Sequence, residues 1–117
     1  MAYNESLVSR VREALAELTD VEEKKMFRGI TFMVNGKMCV SVGGDEMMCR
    51  IDPAIHEKAM EKEGCREMIH GGKTMKGFVF VQNEALKSKR NFDWWIQHCL
   101  EYNTIAKAAR PRTKRKK

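Results

Sequence analysis

The chain has 117 residues, enough for one domain, and its composition of 43% hydrophobic and 32% charged residues excludes an intrinsically disordered protein. Its apolar runs are only a few residues long, and its first residues lack a basic patch followed by an apolar stretch, so we expect no membrane span and no secretory signal. The formal net charge is +6, but seven of the 22 basic residues lie in the last eleven positions, which argues against a uniformly basic surface.

The first predicted element is a helix over residues 4–18. Its apolar residues recur at steps of three and four, which places them on one stripe of a helix. Asn4 is suited to cap the first turn, and Glu5 favours the positive end of the helix dipole. Thr19 and Asp20 are predicted to end the helix.

A polar connector over residues 21–29 and three short strands, over about 30–34, 37–42 and 46–51, are predicted next. The Asn35-Gly36 pair between two apolar runs is a strong signal for a β-hairpin, because both residues tolerate positive φ. Residues 43–45, which are Gly-Gly-Asp, supply the second turn.

The turn at Gly36 decides which side chains share a face of these strands. A two-residue turn would place the apolar even-numbered positions of the first two strands on opposite faces, whereas a three-residue turn ending at Gly36 places them together. We favour the three-residue turn, with a left-handed bulge at Gly36. The face opposite the core is then either solvated or a landing surface for a partner, and it carries Thr31, Met33, Cys39, Ser41, Met48 and Arg50.

A second helix is predicted over residues 53–63, with Asp52 as its cap. A weak strand over 66–70 and a stronger one over 75–82 follow it. The stronger strand is apolar on both faces, which predicts a central strand covered on both sides. The last helix is predicted over 91–105, capped by Asn91 or Ser88. The order helix–three strands–helix–two strands–helix predicts an α+β fold, an antiparallel sheet packed with helices.

The apolar pattern ends near residue 106, so we predict one domain over 1–106 and a disordered basic tail over 107–117. Seven cations on a flexible segment could neutralise phosphates of a nucleic acid, or could serve only solubility. The candidate nucleic-acid-binding residues are Lys107, Arg110, Arg112, Lys114, Arg115, Lys116 and Lys117.

No catalytic, cofactor or metal site is predicted. The four cysteines are widely spaced and form no close pair, which indicates free thiols in the reducing cytoplasm rather than disulfides or zinc. Residues 71–74 end like a phosphate-binding loop, but the pattern lacks its first glycine and a following helix, so a hairpin turn is predicted. Trp94-Trp95 lies beside basic residues and could stack bases, although one tryptophan of such a pair usually anchors its helix.

One pattern runs through residues 21–33, Asn35-Gly36, Met38, the 75–81 strand and the tryptophan-bearing last helix. It resembles the TfoX/Sxy N-terminal domain family over about residues 3–103. The resemblance implies an α+β fold similar to the type III secretion chaperones. The family takes its name from regulators of natural competence that act with a cyclic-AMP-dependent activator at promoters and add a C-terminal helical domain. The family offers no catalytic residues to transfer, and a stand-alone N-terminal domain is expected here.

The leading functional hypothesis is a non-enzymatic, cytoplasmic interaction or regulatory module that forms a homodimer and needs no cofactor, membrane or small-molecule substrate. A methionine-rich surface adapts to protein partners, and the chain has nine methionines. The first alternative is a transcriptional regulator that associates with nucleic acid through the basic tail. The second is a small enzyme, which would require a pocket with a titratable group of perturbed pKa.

Overall fold

A computed structural model describes residues 3–26 and 29–106. The helices are α1 (Glu5–Ala14), α2 (His56–Ala59) and α3 (Lys89–Asn103). The strands are β1 (Val21–Met26), β2 (Gly29–Val34), β3 (Lys37–Gly43), β4 (Glu46–Arg50), β5 (Cys65–His70) and β6 (Lys73–Gln82). Short 3₁₀ helices, Pro53–Ile55 and Asn83–Lys87, precede α2 and α3.

The six strands form one sheet in the order β1-β2-β3-β4-β6-β5, and each neighbouring pair is antiparallel. Its hairpins join strands that are adjacent in sequence, and the α2 segment carries the chain from β4 to the edge strand β5. The predicted α+β class with an antiparallel sheet is therefore confirmed. The likeness to type III secretion chaperones stays a prediction.

Strand β1 is an addition to the predicted order. Residues 21–26 were expected to lie in a polar connector, but they pair with β2 from Val21 opposite Val34 to Met26 opposite Gly29. Five of the six residues are exposed, because β1 is an edge strand with little to pack against. Charged side chains are typical of edge strands, where they discourage pairing with other chains, and they hide the apolar alternation that would have revealed a strand.

The β2–β3 hairpin has a different turn from the one predicted, yet most of its apolar residues share a face as predicted. Val34 pairs with Lys37 across a two-residue turn at 35–36, in which both residues have positive φ. The register then shifts between Phe32 and Met33, which leaves one extra residue on β3. This β-bulge returns Val40 and Val42 to the face of Ile30 and Phe32, as the three-residue turn would have done, but leaves Met38 on the opposite face.

The bulge also places Cys39 on the face opposite to the one predicted. Met38 pairs with Met33 and Val40 pairs with Phe32, so Cys39 is the unpaired residue between them. Its side chain is 1% exposed and belongs to the core cluster. The prediction that Cys39 lies on the open face is wrong, because the unpaired residue shifts the alternation by one position, and Met38 lies there instead.

The helix termini mostly follow their predicted caps. The Asn4 side chain accepts a hydrogen bond from the Leu7 amide at 3.0 Å, and Asp52 accepts one from Ala54 at 2.9 Å. Helix α1 ends at Ala14, four residues before the prediction, and α2 is a single turn rather than a helix over 53–63. Ser88 caps α3, which therefore begins two residues earlier than predicted.

The three helices lie against one face of the sheet, which we call the inner face. The core cluster joins the buried stripe of α1 and that of α3 to the inner-facing strand residues, from Ile30 and Phe32 to Val79 and Val81. Trp95 is fully buried at its centre. No helix packs on the opposite, outer face within residues 3–26 and 29–106, so the sheet has one covered face and one open face.

Candidate functional site

The open face of the sheet carries an apolar patch that is separate from the core. Alternation along the paired strands directs five large apolar side chains there, and we name this patch the outer face: Met33, Met38, Met48, Phe78 and Phe80. None of the five belongs to the core cluster or to the residues packed against it. Four are half-buried, and Met48 is 4% exposed. Apolar patches that the chain itself does not cover mark interaction surfaces.

Two rows of side chains cross the outer face perpendicular to the strands. The first row pairs residues on all six strands and consists of Lys24, Thr31, Ser41, Met48, Phe80 and Arg66. The second row, two residues along, consists of Glu22, Met33, Met38, Arg50 and Phe78. Successive residues on the same face of a strand are about 7 Å apart, so the rows lie side by side.

The middle of the first row is polar but internally satisfied. The Thr31 and Ser41 hydroxyl oxygens are 2.9 Å apart, and the Ser41 hydroxyl also donates to the Ile30 carbonyl at 3.2 Å. Both residues are buried among their longer neighbours. Their hydroxyls therefore hold β2 and β3 together and offer no reactive group to a ligand.

Charged side chains border the outer face at the β5 side. The Arg66 guanidinium binds both carboxylate oxygens of Glu46, at 2.8 and 2.9 Å, and lies 4.3 Å from the centre of the Phe80 ring. The hydrogen bond to Glu46 raises the pKa of Arg66. At the end of β4, Arg50 donates to the Met38 carbonyl at 3.3 Å. The border thus combines apolar stems with paired charges, as the rim of a protein interface does.

Sequence reasoning identified part of this surface and missed its aromatic half. Thr31, Met33, Ser41 and Met48 lie where they were predicted. The prediction that the 75–82 strand is covered on both sides is wrong, because Val79 and Val81 point into the core while Phe78 and Phe80 point outward. The signal that could have located the patch was a strand with apolar side chains on both of its faces, because helices on one side of the sheet cover only one of those faces.

Three of the four cysteines form a buried thiol cluster on the inner face. The pKa of Cys39 is raised by its hydrogen bond with Cys99 and by burial. The pKa of Cys99 is lowered by the bond with Cys39 but raised further by the bond with Cys49 and by burial, so it lies well above its usual value. The Cys39 and Cys99 thiols therefore stay protonated, and a protonated thiol is a poor nucleophile.

Alkylation of the folded protein tests this arrangement. We expect iodoacetamide to modify Cys65, which is partly exposed, and to leave Cys39, Cys49 and Cys99 unmodified. Modification of Cys65 should itself be slow at neutral pH, since burial raises its pKa. Peptide mass spectrometry measures the pattern, with urea-unfolded protein as the control in which all four react. Modification of Cys39 as fast as that of Cys65 would contradict the buried cluster.

His56 is the one histidine at a fully buried position in the described ranges, and both of its ring nitrogens are used. Nδ1 accepts the Gly77 amide hydrogen at 3.1 Å, and Nε2 lies 3.0 Å from the Glu67 carboxylate. Because Nδ1 is an acceptor, the neutral ring carries its proton on Nε2 and donates it to Glu67. The ring therefore ties α2 to Gly77, which has a φ of 93°, and to β5.

The described residues do not assemble the other chemistries that the sequence analysis considered, which were a metal site, a phosphate-binding loop and base stacking. Histidine, cysteine and carboxylate side chains form no group of three that could hold a metal ion in those ranges. Residues 71–72 form the β5–β6 hairpin turn, as predicted. Trp95 is buried, and the Trp94 ring already contacts His98 at 4.1 Å and Lys62 at 4.4 Å, which leaves little room for stacking bases.

The seven candidate nucleic-acid-binding residues, which begin at Lys107, lie outside the described residues, as does the whole predicted tail. Among the helices that are described, none combines the length and the hydropathy needed to cross a bilayer.

The fold and its open sheet face define a small α+β domain whose described helices all lie on one side of an antiparallel sheet. The family model described as the TfoX N-terminal domain matches residues 13–102, most of the chain. The chain therefore belongs to the TfoX N-terminal domain family, as the resemblance predicted. The matched range contains every residue of the outer face. Comparison with curated proteins and comparison with solved structures each gave no significant match.

Proposed function

We propose that this protein is a non-enzymatic regulatory module of the cytoplasm, related to the N-terminal domains of competence regulators, and that it acts by binding protein through its outer face. The observation that carries the proposal is the patch of methionine and phenylalanine side chains outside the core cluster. Methionine side chains are flexible and polarisable, and aromatic residues are enriched at interfaces. Membership of the TfoX N-terminal domain family supports the regulatory role.

The state of the reactive side chains supports a non-enzymatic role. Acid–base catalysis by a histidine needs a ring nitrogen that can face a substrate, whereas His56 uses both of its nitrogens within the fold. Nucleophilic catalysis by cysteine needs a thiolate, whereas the pKa values of Cys39, Cys65 and Cys99 are raised. The other buried polar residues, Thr31, Ser41 and Asn103, make their side-chain hydrogen bonds within the fold.

Gene replacement in the source cell tests the regulatory role. Met33→Glu places a charge in the middle of the outer face, where it would oppose desolvation by a partner. We expect this variant to reproduce the transcript changes caused by deleting the gene. Ile105→Glu is the matched control, because it makes the same kind of change at a 67% exposed residue beyond the end of α3. Immunoblotting checks that both variants accumulate normally.

Two outcomes would overturn the proposal. Deletion that leaves every transcript unchanged would remove the regulatory role. Normal transcripts in the Met33→Glu strain, with altered transcripts in the Ile105→Glu strain, would place the functional surface elsewhere.

The composition of the C-terminal segment favours a second candidate, association with nucleic acid. Seven of its eleven residues are cationic. If all seven contacted phosphates of duplex DNA, the logarithm of the binding constant would fall with the logarithm of salt concentration with a slope of about −6.

Truncation after Ala106 tests this second candidate. We expect the full chain to bind duplex DNA in a salt-dependent manner and the truncated chain to lose most of that affinity. Fluorescence anisotropy over a salt series measures both constants. Equal affinity for the two chains would exclude the tail as the binding element.

A further inference from the structure

We propose that the outer face binds the outer face of a second copy of this chain, giving a two-fold symmetric dimer in which two sheets pack face to face. This inference rests on the proposed function and deepens it by naming the protein partner. Two features of the outer face support this dimer: its charges are self-complementary across one symmetry axis, and so are the sizes of most of its side chains.

The edge of β1 is the obvious alternative for self-association, and its charges oppose it only in part. Two antiparallel copies of one edge strand, related by a two-fold axis, must place some residue opposite itself. The four central residues of β1 are Glu22, Glu23, Lys24 and Lys25. Every such register centred on them therefore sets two like charges directly opposite each other, which is destabilising. The register centred on Glu23, however, also sets Glu22 opposite Lys24 of the second copy in two favourable pairs, so charge alone does not exclude this edge and the Met38→Glu variant below decides between edge and face.

The charges on the β1 side of the outer face complement themselves in a different arrangement. Lys24 belongs to the first row across the sheet and Glu22 to the second. A two-fold axis that runs across the strands, midway between the rows, places the first row of one copy over the second row of the other. Lys24 then lies over Glu22 of the second copy, and the reverse pair forms by symmetry. The two rows thus supply two intermolecular ion pairs at one edge of the interface.

The sizes of the apolar side chains match across the same axis. The long Met33 and Met38 lie over the short Thr31 and Ser41 of the second copy, so the thick part of each face meets the thin part of the other. Phe80 lies over Phe78 of the second copy, which gives an aromatic pair in each half of the dimer. Side chains of alternating size allow two sheets to pack at about 10 Å. The same axis places Arg50 over Met48 of the second copy, so the interface also covers one charged side chain, whose guanidinium already donates to the Met38 carbonyl at 3.3 Å.

Charge exchange on β1 gives a direct test by sedimentation equilibrium of the full chain. Lys24→Glu alone places glutamate over Glu22 in both halves, and we expect dimerisation to weaken at least about tenfold. The double variant Glu22→Lys/Lys24→Glu restores opposite charges, and we expect affinity to return to within about threefold of the original. Lys25→Glu is the matched control, because Lys25 alternates to the inner side of the same exposed strand and should change dimerisation little.

A second variant separates face pairing from pairing through the β1 edge. Met38→Glu lies on β3, away from both edges, and we expect it to abolish the dimer, with circular dichroism confirming the fold. The inference is overturned if the original chain is a monomer at all concentrations, if Met38→Glu dimerises normally, or if the double variant stays as weak as Lys24→Glu. A monomeric chain whose Met33→Glu variant still alters transcripts would overturn this inference and leave the proposed function standing.

Discussion

Replacing Gly29 by alanine is expected to destabilise the domain by at least about 3 kcal/mol, or to prevent folding altogether. Gly29 lies opposite Gly43 where β2 pairs with β3. A methyl group at this position would overlap the carbonyl oxygen of Val42 and come within 2.9 Å of the Gly43 Cα. The obstructing atoms belong to the backbone of a strand held on both sides, so they cannot move aside as a flexible side chain would.

Urea denaturation of the Gly29→Ala variant measures the effect, and Gly36→Ala provides the control. Gly36 has a φ of 76° but no atom within 4 Å of an added Cβ, so its replacement carries only the cost of the left-handed conformation, about 1 kcal/mol. Similar losses of stability in the two variants would contradict the close approach of β2 and β3 at Gly29.

Trp95 is expected to give the largest effect of any side-chain truncation in the core. It is fully buried, and replacing it with alanine should cost about 3–5 kcal/mol through lost contacts and a cavity. Its indole Nε1 has no hydrogen-bond partner among the described residues. Trp95→Phe removes this unsatisfied donor while keeping an aromatic ring, so we expect it to cost much less than the alanine variant.

The same denaturation experiment compares the two Trp95 variants, with the fluorescence of Trp94 as the signal in each. A Trp95→Phe variant as unstable as Trp95→Ala would show that the indole nitrogen makes an important hydrogen bond. A Trp95→Ala variant as stable as the original chain would contradict its central place in the core.

The class of fold could be predicted because the inner face follows strong local rules. The apolar stripes of α1 and α3, the Asn4 and Asp52 caps and the Asn35-Gly36 turn each depend on residues near one another in sequence. The position of the β2–β3 bulge could not be predicted, because the apolar alternation fits both a two-residue turn with a later bulge and a three-residue turn. Cys39 was therefore assigned to the wrong face although its strand was located correctly.

The candidate site was only partly visible in the sequence for a related reason. Phenylalanine is common in buried strands, so the sequence does not distinguish Phe78 and Phe80 from core residues. Only the three-dimensional structure shows that no described helix covers them. Strand β1 was missed because its charges, which suit an edge, give no apolar alternation. Features that depend on what lies beside a strand, rather than on the strand itself, were the ones that required the structure.

Methionine oxidation at different protein concentrations tests most directly whether the outer face binds a second copy of the chain. With peroxide and dilute protein, we expect Met33 and Met38 to form sulfoxides readily while the fully buried Met47 stays reduced. At high concentration, Met33 and Met38 should become protected, whereas the half-buried Met60, which packs on the inner side, should react at an unchanged rate. Oxidation of Met33 and Met38 as slow as that of Met47 in dilute protein would contradict an open outer face. Rates at Met33 and Met38 that never change with concentration would contradict its pairing with a second copy.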